Sequence, residues 1–72
     1  MSRLFEISSE FIELNKLLKA SGMCDSGGQA KKFIEEGLII VDGETETRKR
    51  RKICDGMVVE YGTDSVKVVV ER

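Results

Sequence analysis

Apolar residues recur at helical intervals in the first third of the chain. Phe11, Leu14, Leu17 and Leu18 fall on one face, and Gly22 follows as a stop signal. Ser8 or Ser9 can cap this helix, Glu10 and Glu13 suit its positive first turn, and Lys16 and Lys19 suit its negative end. Ahead of it, residues 1–9 read as a lead-in, with Phe5 and Ile7 alternating against Glu6 as in a short strand. A second helix opens at Ser26-Gly27-Gly28-Gln29, which has the spacing of a capping box. It carries an apolar stripe of Ala30, Phe33 and Ile34 and ends at Gly37. Only Gly22 to Asp25 separates the two, so residues 10–37 form a tight helical pair, with Phe11 and Phe33 expected in the core.

After Gly37 the period changes from helix to strand. Leu38 to Val41 is a β-rich run, and Asp42-Gly43 is a tight-turn signal. Glu44 to Thr47 starts a return strand, and Ile53 and Cys54 bring the chain back to the core. Asp55-Gly56 marks another turn. Met57 to Tyr61 and Ser65 to Val70 then make two strands around Gly62-Thr63-Asp64, the last with Val66, Val68 and Val70 on one apolar face. The expectation is one α+β domain over residues 1–72. Its helical pair packs on a small, mostly antiparallel sheet of three to five strands, with residues 38–72 as the β region.

Charge changes this picture. Twelve cations against thirteen carboxylates leave a net charge of −1, but five of the cations are consecutive: Arg48, Lys49, Arg50, Arg51 and Lys52. Outside that run, seven cations face thirteen carboxylates. At strand period Arg48, Arg50 and Lys52 share one face and Lys49 and Arg51 the other, so neither face can be buried. The segment is an exposed edge or loop. It is either a solvated charge run or a phosphate-binding patch.

The remaining composition narrows the chemistry. There is no histidine, so no histidine base or nucleophilic dyad is available, and no carboxylate lies in an apolar run that would shift its pKa. Catalysis is not expected. Cys24 and Cys54, thirty positions apart, do not make a zinc site and are expected to be free and buried, with a single disulfide as the alternative; no metal or cofactor is implied. No signal peptide or membrane span is visible, and a soluble cytoplasmic monomer is the default.

The order of these signals resembles a known family. Leu14, Leu17, Leu18, Gly22, Ser26, Ala30, Ile34, Glu36-Gly37, Ile39, Val41, Asp42-Gly43 and Gly56-Met57-Val58 are similar to the α-L RNA-binding domain first described in ribosomal small-subunit protein four. Ser26 to Lys31, together with Glu46 to Arg50, resembles the YbcJ-type bacterial subfamily of small cytoplasmic proteins made of this domain alone. The resemblance implies a two-helix α-L motif on a sheet and an RNA partner, either ribosomal or transfer RNA, with ribosome-associated proteins as further partners. One departure stands out. Many relatives place an RNA-contacting arginine directly after the serine that opens the second helix, and here that position is Gly27.

Three features are candidates for contact with RNA. The first is the run Arg48 to Lys52, whose arginine forks match phosphate oxygens. The second is the start of the second helix, where the amides of Gly27, Gly28 and Gln29 sit at the positive dipole end with Lys31 and Lys32 one turn in. Its plain alternative is that Ser26 caps the helix and the glycines serve tight packing. The third, Lys16 and Lys19, more simply pairs with Glu13 and complements the helix end. With Phe11 and Phe33 assigned to the core, base stacking is disfavoured and recognition by backbone and shape is expected. A protein-interaction module that docks an acidic partner through the basic run is the alternative; a DNA-reading helix–turn–helix is disfavoured by the two glycines.

Overall fold

The computed structural model describes residues 2–71. Met1, the first residue of the expected lead-in, and Arg72, the last of the expected β region, lie outside them. The chain order is β1 (Ser2–Ile7), β2 (Phe11–Glu13), α1 (Leu14–Ala20), α2 (Gly27–Glu35), β3 (Ile39–Val41), β4 (Glu44–Thr45), β5 (Lys52–Cys54), β6 (Val58–Tyr61) and β7 (Asp64–Val70). Five strands form one sheet in the order β1-β7-β6-β3-β4, and β2 and β5 form a separate antiparallel pair. Among the described residues only β1 runs parallel to its neighbour, β7. The α+β class and the mostly antiparallel sheet are as expected; the two-stranded β2–β5 ribbon is an addition to them.

Alternation and turn chemistry account for the large sheet. Val66 and Val68 of β7 point inward and Lys67 outward; Ile39 and Val41 of β3 and Val59 of β6 are buried beside them. The β3–β4 hairpin turns on Asp42 and Gly43 with φ of 50° and 85°. Two consecutive positive φ values make the tight turn whose twist suits adjacent strands. Asp42 then works on the next strand as well, since its Oδ1 accepts from the Val58 amide at 2.9 Å.

The helices cover one face of this sheet. Leu14, Leu17 and Leu18 from α1 and Ala30 and Ile34 from α2 are fully buried against Ile7, Ile39, Ile53, Val59, Val66 and Val68. Burying each such Leu, Ile or Val side chain is worth about 1.5–3 kcal/mol, so these residues carry the fold. Phe33 lies at the rim, stacked on Tyr61 with centroids 4.8 Å apart.

Two expectations fail at the start of the helical region. The first helix begins at Leu14, not at Ser8 or Ser9. Phe11 to Glu13 form β2 instead, and Ser9 Oγ donates to the Phe11 carbonyl rather than capping anything. Phe11 consequently leaves the core and is exposed. Cys54, its partner in the β2–β5 register, is exposed with it, whereas Cys24 is buried as expected; both are free thiols.

Candidate nucleic-acid interface

The basic segment is a turn held from inside by one carboxylate. The Glu46 amide donates to Ile39 O on the sheet, and its side chain, 11% exposed, lies beneath the loop. Glu46 Oε2 accepts from the amides of Thr47 and Arg48, both at 3.1 Å. The Arg48 fork closes on both oxygens, Nε to Oε2 at 3.0 Å and Nη2 to Oε1 at 3.1 Å. Arg51 Nη1 adds a longer ion pair at 3.6 Å. The Arg48 side-chain hydrogen bonds, aided by its backbone amide and by both guanidinium charges, overcome the cost of burial and lower the Glu46 pKa to about 2. The same pairing raises the Arg48 pKa.

The loop backbone serves the first helix. α1 has no side-chain cap; its first donors, the amides of Leu14 and Asn15, reach Arg51 O at 2.9 Å and Lys49 O at 3.0 Å. A further bond from Arg51 N to Arg48 O at 3.2 Å closes the turn. With these carbonyls committed to the helix, the cationic side chains are left at the surface: Arg48, Lys49, Arg50 and Lys52 are exposed and Arg51 is half-buried. This satisfies helix donors that would otherwise be orphaned.

The loop then enters β5, and the β2–β5 ribbon sorts its side chains by register. Ile12 and Ile53 face inward, while Phe11, Cys54, Glu13 and Lys52 share the outer face. Lys52 Nζ lies 4.9 Å from the Phe11 ring centroid, and Arg50 Nε lies 4.0 Å from Glu13 Oε2. Beside them is an open hollow of about 780 Å³, lined by Arg48, Lys49, Arg50, Arg51, Lys52, Cys54 and Met57. Met57 is fixed there by the Cys54 amide, which donates to its sulfur at 3.1 Å.

The second candidate feature is only partly available. Ser26 Oγ accepts from the Gln29 amide at 3.1 Å, and Gln29 Oε1 accepts from the Asp25 amide at 2.7 Å. The Gln29 donor, expected to be open, is therefore used by the cap. Gly27 and Gly28 are exposed. A Cβ at Gly27 would meet nothing within 4 Å and one at Gly28 only Ser26 Oγ at 3.9 Å, so neither is required by packing. Lys31 and Lys32 are exposed on α2. None of these five residues lines the hollow, so the structure gathers Arg48 to Lys52 into one site and leaves the helix start as a separate surface. Lys16 pairs with Glu13 at 3.6 Å, the plainer of its two expected roles.

Sequence reasoning missed Glu46, the exposure of Phe11 and the part taken by Met57. Only Glu46 left a trace, as a carboxylate two residues ahead of the cations.

Comparison with known proteins decides the family. The model described as "S4 domain" matches residues 5–69. The chain belongs to the S4 domain family. It is 52% identical over 58 residues to an Escherichia coli (strain K12) protein named "Putative RNA-binding protein YbcJ", covering 81% of this chain and 83% of that one. A Bacillus subtilis (strain 168) protein named "Probable ribosome maturation protein RlbA" is 39% identical over 70 residues, covering 96% and 99%. The solution structure of YbcJ from E. coli, described as revealing an α-L motif involved in RNA-binding, superposes with a TM-score of 0.71 at 46% identity. That alignment covers 92% of this chain and 85% of that one. The α-L assignment made from the leucine, glycine and serine positions therefore holds for this chain. Among the described residues no helix is long and apolar enough to cross a membrane.

Proposed function

We propose that this chain is a cytoplasmic, single-domain RNA-binding module that recognises structured RNA through its phosphate backbone and shape. The observation that carries the reading is the commitment of the loop's carbonyls to α1, which leaves Arg48 to Lys52 presented together on an ordered turn. An ordered array of cations binds a phosphate track with less loss of entropy than a floppy one. The lysines Lys31 and Lys32 and the open amides of Gly27 and Gly28 form a second, weaker contact on the other element.

Ribosomal RNA is the proposed target class, because a relative aligned over 96% of this chain is named for ribosome maturation. The protein acts as a monomer and without a cofactor. Crosslinking in cells followed by sequencing of bound RNA tests the reading, with Lys49→Gln/Arg50→Gln as control. Enrichment of ribosomal RNA fragments that is lost in the control supports it. Recovery of one stoichiometric acidic protein after nuclease treatment, with no RNA enrichment, contradicts it.

A further inference from the structure

We infer that one unpaired nucleobase binds at the edge of the hollow beside the basic turn, stacked on Phe11, which lies outside the lining and under Lys52, with the surrounding cations holding its phosphates. The inference rests on the RNA-binding reading and adds a base contact to it. Three observations converge. The ribbon register puts Phe11 on the outer face with Lys52 and Cys54, beside the loop rather than in the core. The hollow, at about 780 Å³, is within the roughly 300–1,000 Å³ typical of small-molecule sites, and Cys54 and Met57 give it an apolar part. Its remaining lining is the five consecutive cations, complementary in charge to the phosphates of a nucleotide.

Lys52 holds a place on the ring, its ammonium 4.9 Å from the Phe11 centroid. An exposed cation–π contact is weaker than base stacking on an aromatic ring. An incoming base therefore displaces the ammonium, which moves outward to the phosphate of the same nucleotide. Every base has a π face, so sequence preference stays weak while preference for a bulge or loop over a paired helix is strong. A bound nucleotide also covers the exposed Cys54 thiol; Cys24, the other thiol, is buried and silent.

The test compares one RNA hairpin in three forms: fully paired, with a single bulged adenosine, and with an abasic residue at the bulge. Wild type binds the adenosine bulge about tenfold more tightly than the other two. Phe11→Ala loses that preference with its salt dependence unchanged, and Phe11→Tyr restores it. In wild type, alkylation of Cys54 slows with the bulged hairpin and not with the paired one, a measurement that needs no variant. Equal binding of bulged and abasic RNA, or wild-type preference in Phe11→Ala, overturns the base site. Should Lys49→Gln/Arg50→Gln still lose affinity for all three hairpins, the backbone reading survives that failure. Should Lys49→Gln/Arg50→Gln keep full affinity for all three, both readings fall together. Protection of Cys54 by an acidic peptide and by no RNA also overturns the site.

Discussion

Glu46 organises the loop as a residue of the wrong sign in a basic site. Its carboxylate is acceptor for two backbone amides and a guanidinium fork, and those bonds are strongest while it is ionised. The folded-state pKa of about 2 lies below the ordinary 4.5, so its contribution is fully present above pH 4.5 and lost as pH falls toward 2. Because the Arg48 partner is largely exposed, solvent screening limits the contribution to about 1–2 kcal/mol. Glu46→Gln is expected to unfold at lower urea than wild type at pH 7, with the gap closing by pH 2. Amide exchange at Thr47 and Arg48 should speed up in the variant at neutral pH. An undiminished gap at pH 2 would mean that Glu46 acts through packing rather than charge.

Between elements, the loop and α1 stabilise each other although more than thirty residues separate them. Inserting one glycine between Lys49 and Arg50 changes the spacing of the two capping carbonyls, so Leu14 and Asn15 cannot both keep their bonds. We expect a loss of about 1–3 kcal/mol for the donor left unsatisfied, measured by thermal unfolding. This long-range cap explains why the first helix was misplaced in the sequence. Ser9, Glu10, Phe11 and Glu13 satisfy every local rule for a helix start, and only the distant Lys49 and Arg51 carbonyls set Leu14 as the beginning. The second helix was legible because Ser26 and Gln29 cap it locally, and the Asp42-Gly43 turn because positive φ leaves few residue choices. Arg3 is a similar tie, from β1 to Ser21 O at 2.7 Å and Asp64 Oδ2 at 2.8 Å. Both sides of the ion pair are 40% exposed, so Arg3→Ala should cost only about 0.5–1 kcal/mol. The measurement is a urea titration.

Across the whole molecule, charge is sorted rather than abundant. The acidic remainder repels a polyanion over most of the surface outside the basic turn and the start of α2, which restricts orientation more than it raises affinity. Five independent cations on duplex RNA would give a salt slope of about −4.5. Glu46 changes that figure, because it offsets part of the charge of Arg48 and Arg51. On the proposed reading Lys49, Arg50 and Lys52 are the main phosphate contacts, and the expected slope is about −2.7. The deciding measurement is the association constant for structured RNA against salt, for wild type and for Lys49→Gln/Arg50→Gln. The account predicts a slope shallower by about 1.8 in the variant and an affinity roughly fiftyfold lower at 0.1 M salt. Superimposable salt curves for the two proteins would contradict it.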